Sequence, residues 1–334
     1  MDCVTSFNMS LDALLHRRPP TPWEKFAASP LLFISKLAYS SISTPSHVSS
    51  SPTSLRLVLI SDTHSTHSSQ PALPDGDILI HSGDLTHSGT YAELSSALSW
   101  LASQPHTHKV FIAGNHDALL ADHDSLDRKE LLGLYSGLTY LEDEATVLTV
   151  RGRSVHLYGS PRTPKHGSGV FQYPRAPSSI LDDVWQERDI PPTTDILITH
   201  GPPLHHLDLG VGCPALLSTL WHIQPRLHVF GHIHGARGIE FLPFTRAQAA
   251  YERVCACVRA RTGVKGLEGG GWIDAISVVW AAVFTACGWG RSRTREGTLL
   301  VNAAAVEGLR DDILRGAVVV DLQLNAIDRE LEAR

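Results

Sequence analysis

Two aspartates, five histidines and one asparagine stand where apolar runs of the sequence end. Asp62 and His64 follow the run 55–60, and Asp84 follows 77–81. Asn115 and His116, with Asp117 beside them, follow 110–113. His200 follows 195–199, and His232 and His234 follow 227–230. Imidazoles and carboxylates with one neutral amide oxygen suit borderline divalent ions such as Mn, Fe or Zn. Ca prefers oxygen ligands alone. Asp-x-His and His-x-His place alternate residues on one side of an extended chain, so both members can face one centre. A single histidine at a strand end is usually structural. This many in register with carboxylates imply a shared metal site.

The elements that must hold these residues read as α/β. Residues 55–60, 77–81, 110–113, 195–199 and 227–230 are nearly continuous apolar runs, as expected of strands covered on both faces. Residues 91–103 carry Leu94, Ala97, Leu98 and Leu101 on one helical face. The region therefore reads βαβ, which argues for a parallel sheet with covering helices. In such folds the chemistry sits at the strand ends. Gly114 opens the tightest of these turns, Gly114-Asn115-His116-Asp117, and is expected there for its backbone freedom. Residues 146–150 and 155–159 read as a hairpin-like pair, 180–188 and 215–223 as helices, and 299–304 and 317–322 as the last strands. A long Gly- and Pro-rich loop, 160–177, carries Arg162, Lys165 and Arg175, which are expected to reach phosphate.

The 334 residues allow one large domain or two small ones. A net charge of -6, with histidine neutral, gives no footprint for non-specific nucleic-acid binding. The five cysteines form no CxxC pair, and the N-terminus lacks a signal peptide's apolar region, so an intracellular, cytoplasmic location is expected. His81 and His228, inside strands, read as core. His67, His87, His205 and His206 read as lying near the mouth of the site.

Two segments fall outside this pattern. Residues 1–54 read as a leader and linker, partly disordered. Within it 23–39 have rough helical spacing interrupted by Pro30, and 40–54 are rich in Ser, Pro and Thr. An insertion at about 243–298 holds a basic helix-prone stretch, 246–261, a Gly269-Gly270-Gly271 break, and a strongly apolar stretch from Trp272 to Trp289. That last stretch approaches the about twenty residues a membrane span needs. It reads as a buried or interface helix, with peripheral membrane contact or a span as alternatives.

Taken in order, Asp62-x-His64, Gly83-Asp84, Gly114-Asn115-His116-Asp117, His200 and Gly231-His232-x-His234 resemble the calcineurin-like metallophosphoesterases. The flanks Ile60-Ser61-Asp62-Thr63-His64, Tyr158-Gly159-Ser160-Pro161, Thr199-His200-Gly201-Pro202-Pro203 and Leu227-His228-Val229-Phe230-Gly231 look like its small branch of metallophosphoesterase-domain-containing proteins. The resemblance covers about 55–242 and resumes near Leu300. It implies a four-layer αββα sandwich over 55–334, interrupted by the insertion, and two divalent metal ions. One ion would take Asp62, His64 and His234, the other Asn115, His200 and His232, with Asp84 bridging. It also implies a metal-bridging hydroxide that attacks phosphorus and a His116 general acid. Asp117 would either orient that imidazole or cap the following helix. Some vertebrate members of this branch depart from the last Gly-His-x-His element, whereas His232 and His234 are both present here.

The expected function is a metal-dependent hydrolase of phosphodiesters or phosphomonoesters, with a small or nucleotide-like substrate. The alternative is a low-activity nucleotide-binding or scaffold protein that keeps the dimetal fold.

Overall fold

The computed structural model of the chain describes residues 21–42, 54–165, 167–175, 184–185, 190–261, 270–287, 297–307 and 313–323. The linker expected over 40–54 and the helix expected over 180–188 fall mainly outside them.

Strands β1 (Leu55–Ile60), β2 (Ile78–Ser82), β3 (His108–Ile112) and the short β4 (Thr139–Tyr140) are parallel, and β11 (Val318–Leu322) closes the other edge antiparallel to β1. In the second sheet β6 (Arg153–Ser160), β7 (Ile196–Thr199), β8 (Leu227–Phe230) and β10 (Thr298–Asn302) are parallel, while β5 (Glu144–Val150) and β9 (Gly238–Leu242) are antiparallel edges. Its strand order is β9-β10-β8-β7-β6-β5. Alternate residues face opposite ways along a strand. Leu57, Leu59, Ile78, Ile80 and Val110 therefore meet Leu157, Ile198, Val229 and Val301 in a core between the sheets.

The opposite faces are covered by helices. Val58, Ile60, Leu79 and Phe111 pack under Leu94, Leu98 and Leu101 of helix α3 (Tyr91–Ser103), Leu120 of the single turn α4 (Ala118–Ala121) and Leu131 of α5 (Leu126–Leu134). Tyr158, Leu197, Phe230 and Leu300 pack under Leu216 and Leu220 of α6 (Pro214–Ile223). The fold is the αββα sandwich that the resemblance implies. Both faces of the central strands are buried over almost their whole length, which is why these strands read as continuous apolar runs rather than alternating ones.

The described residues of 1–42 and 245–291 form a separate compact unit of four helices. These are α1 (Pro22–Ala28), α2 (Pro30–Ile42), α7 (Arg246–Arg261) and α8 (Gly270–Ala286). Pro30 divides the leader segment because proline cannot donate to the preceding turn. Tyr39 stacks on Tyr251 with ring centroids 4.0 Å apart, and Leu31 packs with Val254 and Ala275, so leader and insertion share one small core. The outer face of α8 exposes Trp272, Ile273, Ile276, Trp280 and Phe284. Among the described residues no helix is long and apolar enough to cross a membrane, and α8 has 17 residues.

Candidate metal centre

Parallel strands carry their carboxyl ends to one edge of a sheet, and here the two sheets present that edge together. Ser61, just past β1, donates its N–H to Ala303 O (3.0 Å) and accepts from Ala305 N (2.7 Å), both just past the strand Thr298–Asn302. This tie joins the sheets where the candidate residues lie. The turns that carry those residues are strained. Asp62, His64, Asp84 and His232 take φ of 53°, 40°, 52° and 67°, left-handed values that cost a non-glycine residue about 1 kcal/mol or more each. Gly114 is not among the positive-φ positions, which corrects the reason expected for it. It is glycine for space: a Cβ there would run into the Asp84 carboxylate, and one at Gly231 into that of Asp62.

The side chains converge in overlapping groups. Asp62, His64 and His234 bring ligand-type atoms within 4.8 Å of one another, and so do Asp84, His200 and His232. His64, Asp84 and His116 form a third such group between them. His64 Nε2 lies 3.3 Å from His234 Nε2, and His234 Nε2 lies 3.4 Å from Asp62 Oδ1. Asp84 Oδ2 lies 3.3 Å from His200 Nε2 and 3.7 Å from His64 Nε2, so it stands between the groups. Asn115 Oδ1 is 3.1 Å from His200 Nε2.

Protonation shows what this crowding requires. His200 Nδ1 lies 3.0 Å from Ser82 O; a carbonyl only accepts, so Nδ1 carries a hydrogen and Nε2 faces the centre. A bare Nε2 lone pair would then meet the oxygens of Asp84 and Asn115 with nothing positive between. Burial pushes the His200 pKa down, but Asp84 overrides it and lifts it to about 9. Burial likewise opposes charge on Asp84, yet His200 and His64 hold it at about 2. Asp62 is also held well below the usual carboxylate range, by His234, His200 and His64 against its burial. Buried carboxylates that stay ionised and imidazoles that turn their nitrogens on one another call for positive charge. A proton supplies it in the bare chain. The donor set fits divalent cations at the same place, with the His200 tautomer fixed by the kind of carbonyl contact common behind metal-ligating histidines.

His116 and Asp117 differ from their expected relation. Asp117 neither orients the His116 ring nor caps α4 through its side chain. Its wholly buried carboxylate accepts from Gly114 N (2.8 Å), Leu85 N (3.2 Å), Thr86 N (3.0 Å) and Thr86 Oγ1 (2.7 Å). It thus ties the loop after β2 to the loop after β3. Burial and the nearby Asp84 raise its pKa to about 6 despite those donors. The His116 ring instead rests on the carbonyl of His87, with Nδ1 2.8 Å from the oxygen. Its backbone N–H donates to Asp84 Oδ1 at 2.8 Å.

Of the four histidines expected at the mouth, His87 lies beside the centre, its ring 6.1 Å from that of His64. His67 is bonded to Ser96 and His206 to Glu240. Arg162 pairs with Asp143 at 2.8 Å, and Arg175 Nε donates to Lys165 O. Arg237 and Arg315, which stand in none of the strand-end motifs, line a cavity with His234. The spacing of Arg237, three residues after His234, was the one available signal.

The family model for calcineurin-like phosphoesterases matches residues 55–236. The chain is 41% identical over 328 residues to a protein of Emericella nidulans named probable rhamnogalacturonate lyase C; the match covers 94% of this chain and 29% of that protein. It is 35% identical over 207 residues to a UPF0046 protein of Caenorhabditis elegans, covering 55% of this chain and 70% of that one. It is 39% identical over 210 residues to human metallophosphoesterase domain-containing protein 1, covering 55% and 62%. The chain thus spans less than a third of the length of the first of these relatives.

Proposed function

The chain belongs to the calcineurin-like phosphoesterase family, and we propose that it is a metal-dependent hydrolase of phosphate mono- or diesters of small, nucleotide-like molecules. The observation that supports this most is the arrangement at His200. Ser82 fixes its tautomer, and its Nε2 faces Asp84 and Asn115 in a buried place that needs a cation. Asp62, His64 and His234 would hold one divalent ion and Asn115, His200 and His232 another, with Asp84 shared. Such ions, of the Mn, Fe or Zn class, supply charge for the phosphoryl oxygens and make an attacking water acidic.

The remaining work falls to the chain. Asp62 accepts the His232 N–H on both oxygens at 3.0 Å, so a ligand of one group fixes the backbone of the other. His116 spans the two groups in a similar way. Its N–H holds Asp84, and its ring lies 4.8 Å from that of His64 at 88°. With Nδ1 on the His87 carbonyl, Nε2 is the position from which the ring gives a proton to the leaving oxygen.

The test is metal content and turnover of bis-(4-nitrophenyl) phosphate with added manganese, on one purified sample. Two ions per chain and measurable turnover are expected. Asp84→Ala should lose both metal and turnover, the latter by about a thousandfold or more given its shared position. Two-metal loading retained in Asp84→Ala would contradict the shared-ligand assignment. Two ions without turnover would favour a nucleotide-binding or scaffold role.

A further inference from the structure

Beside the proposed metal centre the surface opens into a cavity of about 440 Å³, within the range of small-molecule sites. His234 forms one wall, and its side chain keeps 22% of its surface exposed. The cavity is therefore continuous with the Asp62–His64–His234 group. Arg237 and Arg315 line it together with Glu307, and Ile239 and Val318 add apolar wall.

The charges in this cavity do not balance. Arg315 is paired with Glu307, through Nε at 2.7 Å and through Nη2. Arg237 has no carboxylate partner among the described residues; its Nη1 donates to the carbonyls of Ala303 and Ala304. These bonds hold the guanidinium in place without neutralising it. Burial and then the nearby Arg315 disfavour charge on Arg237, against the weaker opposing pull of Glu307. Two guanidiniums against one carboxylate, at the mouth of a phosphoester site, leave about one unit of positive charge facing the cavity. Arginine is the side chain best matched to phosphate or carboxylate, because its planar fork makes paired charge-assisted hydrogen bonds.

We propose that this cavity is a subsite for a second anionic group of the substrate, so that the chain acts on phosphoesters that carry a second phosphate, such as nucleoside bisphosphates. The proposal rests on the phosphoesterase reading and narrows its substrate class. The scissile phosphate lies over the Asp62–His64–His234 and Asp84–His200–His232 groups. The second phosphate lies past His234, between Arg237 and Arg315, displacing part of Glu307's hold on Arg315. The apolar wall formed by Ile239 and Val318 meets the uncharged body between the two.

A matched ligand pair tests this. Adenosine 5′-monophosphate and adenosine 3′,5′-bisphosphate differ only in the second phosphate. Calorimetry on the manganese-loaded 334-residue chain carrying His116→Ala, to slow turnover, should show the bisphosphate binding about tenfold tighter or more, as expected for a charge-assisted pair. Arg315→Gln and Arg237→Gln should each bring the ratio down to about two. Glu307→Gln should raise it above that of the parent, because the competing carboxylate is gone. That opposite sign separates a subsite from a general loss of structure, which would lower affinity in all three variants alike. A ratio near one in the parent, or one that survives both arginine substitutions, overturns the subsite. Absence of bis-(4-nitrophenyl) phosphate turnover in the unsubstituted chain overturns the hydrolase reading instead, and the ligand ratio still decides whether the cavity takes a second phosphate.

Discussion

In the Asp84–His200–His232 half of the centre, the His200 side chain is wholly buried and held by Ser82 from behind. In the Asp62–His64–His234 half, His234 is partly exposed and borders the cavity of Arg237 and Arg315. Behind the ligands the two halves are built alike. Thr63, between Asp62 and His64, bonds the ring of His81 at 3.0 Å, and Thr199, next to His200, bonds the ring of His228 at 2.8 Å. Both of those histidines are wholly buried. The same threonine–histidine strut thus stands under both halves, one in each sheet. The difference lies in front of the ligands. Each half has two buried ligands and one partly exposed histidine, His232 or His234, and of these two His234 is the one that borders the arginine-lined cavity.

That difference is broken or sharpened most strongly by removing one histidine from each half. His200→Ala and His234→Ala should both reduce turnover to background, since each removes a ligand. Their effects on the metal-free protein should diverge. Without His200, the Asp84 carboxylate stays buried without its strongest countercharge, a change expected to destabilise by about 2–4 kcal/mol. Without His234, Asp62 also loses its leading countercharge, but it keeps both bonds from the His232 N–H and the charges of His200 and His64, and the lost imidazole is partly exposed, so a smaller loss of about 1–2 kcal/mol is expected. Thermal melting of the metal-free variants checks this; equal shifts would mean that burial does not separate the two halves.

A smaller effect is expected at His116, which touches both halves. It belongs to a ligand-spaced group with His64 and Asp84, so its geometry also admits a third role as ligand. His116→Ala should retain both metals, slow esters of poor leaving groups by about a hundredfold or more, and slow nitrophenyl esters far less. Metal loss in this variant would make it a ligand. Equal slowing of both ester types would remove its role as acid.

The sequence carried the centre more fully than its supports. The convergence of Asp62, His64, Asp84, Asn115, His200, His232 and His234 is legible because parallel strands read as apolar runs, and their ends mark one edge. The partners of Asp117 were not legible, since its bonds run to backbone N–H groups of Leu85 and Thr86, about thirty residues away in another loop. The constraint on Gly114 is the approach of Asp84 rather than backbone freedom, a contact across strands that no local pattern reveals. His81 and His228 were recognised as core, but a threonine at a turn gives no sign that it will bond one of them. The union of leader and insertion helices was hidden for the same reason: Tyr39 and Tyr251 meet across more than two hundred residues of sequence.

The struts lend themselves to a finer test, and His228 is the cleaner of the two, because burial alone lowers its pKa, to about 3. His81 reaches a similar value, about 3, but burial there competes with the charges of Asp62 and Asp84. An unfolded chain protonates this histidine near pH 6.5, whereas the folded chain resists until about pH 3. Between those values the unfolded state binds more protons, so stability falls as pH falls, by up to about 1.4 kcal/mol per pH unit for one such group. His228→Phe removes the titration, fills similar space, and forfeits the Thr199 bond, worth about 1 kcal/mol. The variant should therefore be slightly less stable than the parent at pH 7. It should gain on the parent by about 2 kcal/mol on going to pH 5, as read from urea denaturation at each pH. Parallel losses in the two proteins would mean that His228 takes its proton in the folded state, and that the strut beside His200 is not the neutral support its burial implies.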